Sequence, residues 1–140
     1  MSEIIFSDRA PEPTGHYPHA RRVGDFLYLS GVGPRKRGSK EIPGVQLSEA
    51  SEILSYDIEI QTRSVFDNLR WILEASGARW SDLVDVTTYL THMKADFPVY
   101  NRLWKEYFPE NPPCRTTLEI LSLPTPIAIE MKAIAYLEKK

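Results

Sequence analysis

The chain has a single cysteine, Cys114, in 140 residues. No internal disulfide can form, so the fold must rest on packing and hydrogen bonding. The composition suits a reducing compartment, with the cytoplasm as the default expectation. Histidine is almost as scarce. His16 and His19 stand on either side of Tyr17-Pro18, and the proline prevents the helical turn that would align two imidazoles on one metal ion. No carboxylate or cysteine cluster completes such a site, so no metal is expected. No Ser-His-Asp or Cys-His arrangement marks a nucleophile. Positive charge is not in excess: 17 Lys and Arg against 19 Asp and Glu give a formal net charge of −2. That balance offers no electrostatic footprint for nucleic acid. No apolar run approaches the roughly 20 residues that span a bilayer. The first residues, with Glu3, Asp8 and Arg9, lack the apolar centre of a signal peptide. There is no internal repeat. Residues 1–140 fit one domain with a real hydrophobic core.

The most informative stretch lies near the C-terminal end. Pro112-Pro113-Cys114-Arg115-Thr116-Thr117 leads into Leu118-Glu119-Ile120, a turn follows at Leu123-Pro124-Thr125-Pro126, and Ile127 to Ala135 reads as a second strand. Two neighbouring strands are predicted, with Arg115 at the start of one and Glu130 on the other. A fixed guanidinium offers a planar fork of donors that suits a carboxylate. A glutamate beside it can hold a water or deliver a proton. Together they point to a small site for a carboxylate-bearing substrate with a hydrolysable centre.

Upstream, residues through Pro13 read as an irregular arm with one short strand. Ala20 to Ser30 reads as a hairpin that turns at Gly24-Asp25. Gly33 to Ser55 is rich in Gly, Pro, Ser and charge and reads as a long loop. A helix is predicted from about Asp57 to Ser76, with Ile58, Thr62, Val65, Leu69 and Leu73 inward and Gly77 as its stop. Val84 to Met93 reads as a strand whose Val84, Val86, Thr88 and Leu90 share one face. A second helix is predicted to start near Asp96 as N-cap, with Pro98 in its first turn. It would bury Tyr100, Leu103, Trp104 and Tyr107 and end at Phe108-Pro109. Strand pairs interspersed with two helices imply an α+β domain, a mixed sheet with both helices on one face.

Taken in order, these segments resemble the Rid/YjgF family of reactive-intermediate deaminases. The resemblance is carried by Gly15-His16-Tyr17, Phe26 to Ser30-Gly31, Gln61-Thr62 through Asn68-Leu69, Gly77-Ala78 to Asp82-Leu83-Val84, Tyr100-Asn101, Tyr107-Phe108-Pro109 and the Arg115 and Glu130 strands. Within the family the chain looks most like the 2-aminomuconate deaminase branch, through Pro18 to Leu27, Leu83 to Leu90, Arg115-Thr116-Thr117 and Lys132 to Tyr136. The resemblance implies a chorismate-mutase-like fold assembled as a homotrimer, with ligand clefts between subunits; some relatives stack trimers into hexamers. It implies no cofactor and a small carboxylate-bearing enamine or imine as the partner molecule.

The resemblance also assigns roles. Arg115 matches the family's carboxylate-binding arginine and Glu130 the glutamate that holds the attacking water. Tyr17 and Asn101 match positions that line the cleft, against the plain alternatives of ring packing and helix capping. Ser30 and Gly31 end a strand where backbone groups can meet a ligand, although Ser-Gly is also ordinary turn chemistry. Cys114 adjoins Arg115 and could touch the ligand; without a paired base it reads better as a small packed residue than as a nucleophile. His16 and His19 depart from the family pattern, where proline precedes the tyrosine, and His92 reads as structural. Arg35, Lys36 and Arg37 read as a solvated charge run, and Arg21 and Arg22 as exposed or paired. A dicarboxylate substrate would need a second cationic anchor, and these are the available groups.

The leading expectation is hydrolytic deamination of 2-aminomuconate, through its imine tautomer, to 4-oxalocrotonate and ammonia. The alternative is a general 2-imino acid deaminase using the same two residues. RNA cleavage or translation inhibition, and ligand binding without turnover, are further classes; the acidic balance disfavours the RNA reading.

Overall fold

The computed structural model describes residues 2–138. Six strands form one sheet in the order β1-β2-β3-β8-β6-β7: β1 (Ser2–Ile5), β2 (Ala20–Val23), β3 (Phe26–Val32), β6 (Leu83–Leu90), β7 (Cys114–Glu119) and β8 (Ile129–Tyr136). Two further strands, β4 (Val45–Leu47) and β5 (Ile53–Tyr56), pair only with each other. Helices α1 (Ile58–Ala75) and α2 (Met93–Tyr107) and a single 3-10 turn at Trp80–Asp82 complete the element set. All pairs in the large sheet are antiparallel except β6 with β7, which are parallel and therefore need the α2 crossover between them. The α+β architecture expected from the sequence is the one observed.

Strand alternation decides which side chains meet the helices. Val86, Thr88 and Leu90 of β6 and Ile129, Met131, Ala133 and Ala135 of β8 are buried. They form the core with Val65, Phe66, Leu69, Ile72 and Leu73 of α1 and Tyr100, Leu103 and Trp104 of α2. The other face keeps large apolar side chains in solvent: Val23, Phe26, Tyr28 and Tyr136 are each 40–47 % exposed. Helix α1 begins as expected, with the Asp57 carboxylate accepting from Ile60 N–H at 3.1 Å, and Gly77 beyond its end takes φ +74°.

Four expectations need correction. The stretch 33–55 is not all loop. Its short β4–β5 ribbon closes over a turn in which Ser48 Oγ accepts from Ala50 and Glu52 N–H, and three- or four-residue strands are too brief to show a period. Val84 is exposed, and Leu83 takes its place in the core, because the β6–β8 register slips between Leu83 and Asp85. Strand β6 stops at Leu90 and α2 starts at Met93, three residues before Asp96. The cap comes from far away in sequence: Glu119 Oε1 accepts from Met93 N–H at 2.9 Å. Asp96 instead lies buried, accepting from Tyr56 OH at 2.6 Å. Finally, β7 and β8 are not neighbours, since β6 runs between them. No helix is long and apolar enough to cross a membrane among the described residues.

Candidate functional site

Arg115 lies beside Val86 in the β6–β7 register, so its side chain points to the helix-covered face. There its Cζ stands 5.6, 5.2 and 5.1 Å from the ring centroids of Phe97, Tyr100 and Trp104, all on α2. Arg115 Nη1 is buried and has no hydrogen-bond partner among the described residues; the same holds for Thr117 Oγ1, two residues along on the same face. No carboxylate forms an ion pair with this guanidinium among those residues. Since β7 is the outermost strand, the half-buried guanidinium is open along the sheet edge. Tyr100 OH is held by Thr88 Oγ1 at 2.7 Å. Burial pushes the Tyr100 phenol up, against the Thr88 hydrogen bond, the adjacent Thr117 hydroxyl and the Arg115 guanidinium and its charge, so it stays protonated.

Glu130 sits beside Tyr89 of β6, on the face away from the helices. Its carboxyl folds over Gly31, where an added Cβ would lie 2.8 Å from Glu130 Oε2. Burial raises the Glu130 pKa, and the nearby Arg35 charge opposes the rise. Ser30 fixes this corner to the N-terminal arm: its N–H donates to His19 O at 3.0 Å and its Oγ to Pro18 O at 2.7 Å. Tyr17 precedes Pro18 on that tethered arm. Its hydroxyl accepts from Thr14 N–H at 3.1 Å and pairs with Thr14 Oγ1 at 2.9 Å. An open apolar hollow of about 510 Å³ adjoins it, lined by Ile4, Phe6, Pro13, Gly15, His16, Tyr17 and Pro18.

The candidate residues thus fall into two separate groups. Ser30, Gly31 and Glu130 gather in one, with Tyr17 on the arm that Ser30 tethers; Arg115 stands in the other with Thr117 and its ring wall. Asn101, exposed on α2, flanks that wall one residue beyond Tyr100. Arg115 and Glu130 lie two strands apart across the sheet and three residues apart along β6, each about 10 Å, and on opposite faces. Within one chain they cannot touch the same small molecule, which corrects the expectation of adjacent strands. Cys114 is exposed rather than packed, because alternation on the outer strand turns it away from Arg115. His19 is buried and fully used: Nδ1 accepts from Ser7 N–H at 2.9 Å while Nε2 donates to Pro11 O at 2.7 Å. His16 stays exposed. No three His, Cys, Asp or Glu side chains converge as metal ligands among the described residues. Phe97 and Thr117 were missed from the sequence. The two-residue spacing from Arg115 could have found Thr117.

Comparison with known proteins agrees with the fold. The family model described as endoribonuclease L-PSP matches residues 7–137. A RutC family protein of Pyrococcus abyssi is 40% identical over 136 residues, covering 97% of this chain and 98% of that protein. A 2-iminobutanoate/2-iminopropanoate deaminase of Dermatophagoides farinae is 33% identical over 136 residues, 96% of each. The crystal structure of a putative endoribonuclease from Thermotoga maritima superposes with a TM-score of 0.84 at 33% identity, covering 99% of this chain and all of that one.

Proposed function

The chain belongs to the Rid/YjgF family, the one whose model is described as endoribonuclease L-PSP, and from that premise we propose that it is a hydrolytic deaminase of small 2-imino acids. The observation that carries the reading is the Arg115 guanidinium, walled by rings, with a buried donor that makes no hydrogen bond among the described residues. Such a fork receives a carboxylate from outside. The deaminase relative favours a monocarboxylic imine. 2-Aminomuconate is the finer reading, and it requires a second cation in the cleft.

The site is proposed to be shared between subunits of a homotrimer in a cytoplasmic setting, Arg115 coming from one subunit and Glu130 from its neighbour. Their separation within one chain supports this, as does the apolar face left open around Phe26, Tyr28 and Tyr136. Arg115 holds the substrate carboxylate, which fixes the adjacent C=N carbon beside Glu130. Glu130 takes a proton from water as the new C–O bond forms. It delivers that proton to the imine nitrogen, leaving a carbinolamine, and then relays the carbinolamine hydroxyl proton to nitrogen as the C–N bond breaks, giving a 2-oxo acid and ammonia. Water addition to an imine is intrinsically facile, so orientation and one acid–base group suffice without a cofactor.

The test is ammonia release from 2-iminobutanoate generated in situ, above the spontaneous rate. Arg115→Ala should remove the acceleration at unchanged solution mass and melting temperature. Full activity in that variant, or tight carboxylate binding by the wild type without ammonia release, would overturn the reading. RNA cleavage that co-purified with the protein would favour the activity named in the family description instead.

A further inference from the structure

Arg115 stands against three rings of α2, and the middle one does more than pack. Tyr100 touches both of its neighbours, its ring centroid 6.1 Å from that of Phe97 and 6.1 Å from that of Trp104. Phe97 has no polar atom, and Trp104 packs onward against Phe108 at 4.4 Å. Tyr100 is bonded to the sheet, its hydroxyl 2.7 Å from Thr88 Oγ1. Both residues are fully buried, so water cannot replace that bond if one partner is lost.

Thr88 lies beside Thr117 in the β6–β7 register, and Val86 beside Arg115, so all four side chains lie on the helix-covered face. Thr117 Oγ1 makes no hydrogen bond among the described residues, so the tie to Tyr100 runs through Thr88. Helix α2 is fixed at its start by Glu119 and at its end by Trp80, whose indole N–H donates to Tyr107 O at 3.0 Å. Between those ends, the Tyr100–Thr88 bond sets how the ring stripe lies over β6 and β7. The guanidinium rests on that stripe from the outermost strand, its Cζ 5.2 Å from the Tyr100 centroid. Its Nη1 has no hydrogen bond and no acid pairs with it among the described residues, so its pose depends on the rings. Ring faces attract a cation without fixing the direction of its donors, and a ring free to shift would let the fork swing.

We propose that Tyr100 is a positioning residue for Arg115: its hydroxyl, locked to Thr88, registers the ring slot that holds the guanidinium ready for the substrate carboxylate. This rests on the imine hydrolysis proposed above and assigns the Tyr100 hydroxyl a role apart from the packing of its ring.

The test is a cycle of Tyr100→Phe, Thr88→Val and the double variant, each close in shape to the original. Three readouts are taken: kcat and KM on 2-iminobutanoate generated in situ, Kd for 2-oxobutanoate by calorimetry, and melting temperature. Each single variant should raise KM and Kd about 3- to 10-fold, the loss expected for one buried hydrogen bond. The kcat should stay within about 2-fold, because a seated carboxylate itself holds the fork. Each single variant should also melt lower, since it strands one buried hydroxyl. The double variant strands none, so its melting temperature should recover while KM and Kd stay raised. Thr88→Ser, which keeps the hydroxyl, should bind like the wild type. Unchanged KM and Kd in both single variants, or values that recover with melting temperature in the double, would overturn the assignment and leave the bond as packing alone. A wild type that binds 2-oxobutanoate without releasing ammonia from the imine removes the deaminase reading, and Kd across the same variants still decides the role of Tyr100.

Discussion

Alanine at position 31 should cost activity and almost no stability. Its Cβ would lie 2.8 Å from Glu130 Oε2 and 3.2 Å from Glu130 Cδ, and its third neighbour is Glu130 Cγ at 3.6 Å. Gly31 is not among the positive-φ residues, so alanine meets no backbone strain there. Every atom in the way belongs to the mobile end of one side chain. Restoring ordinary contact moves the carboxyl by about 0.6–1 Å. A displacement of about 1 Å in a catalytic group costs up to about 100-fold in rate, so kcat should fall roughly 10- to 100-fold. Stability should change by less than about 0.5 kcal/mol. Gly33→Ala is the control. Its Cβ would lie 2.5 Å from Ile127 Cδ1, and Ile127 is buried, so core packing must shift at about 1–3 kcal/mol. Initial rates on 2-iminobutanoate and thermal melts of both variants separate the two effects. A fully active Gly31→Ala protein, or one as destabilised as Gly33→Ala, would refute the idea that the Glu130 carboxyl is held there for chemistry.

Two further predictions concern protons. Glu130 must start ionised to accept a proton from water, and burial raises its pKa, so kcat/KM should fall on acidification through a pH above the ordinary carboxylate value. Glu130→Gln should lose most of the rate and that acidic limb together, as a pH–rate series would read; a limb left in place would assign it to another group. Asp96 has its pKa raised from 3.8, first by burial, with the Tyr56 hydrogen bond and the His92 charge opposing. The folded state therefore holds the proton more tightly than the unfolded chain. The stability from Asp96 is complete below pH 3.8 and declines as pH rises toward the folded value. Asp96→Asn keeps an oxygen for Tyr56 OH, so melting temperature against pH should flatten over that window; an unchanged slope would contradict the assignment.

Local signals in the sequence were sufficient for α1 and for the β2–β3 hairpin. Asp57, the apolar spacing from Ile58 to Leu73 and Gly77 act within a few residues of one another, and Gly24 takes φ +62° at the turn. The errors fall where the deciding partner is remote. The start of α2 is set by Glu119, 26 residues away, and Asp96, a good cap by composition, is drawn inward by Tyr56 from 40 residues away. The β6 register depends on a slip against β8 that no property of Val84 announces. Arg115 and Glu130 were legible as residue types. Their separation depends on β6 lying between β7 and β8, and strand order is invisible to a pattern read along the chain.

The setting of Arg115 explains why a cation can wait there without a counter-ion. Leaving a buried donor unsatisfied costs about 1–3 kcal/mol, more when the group is charged. Three ring faces at 5.1–5.6 Å return about 0.5–1 kcal/mol each, so the guanidinium is tolerated with no paired acid among the described residues. An aspartate or glutamate among those positions would have secured the arginine better. It would also have competed with any incoming carboxylate. Rings attract the charge but cannot take the bidentate hydrogen bonds a carboxylate takes. The aromatic wall and the lack of a paired acid are therefore one feature: they keep the fork in place and leave its donors for a ligand.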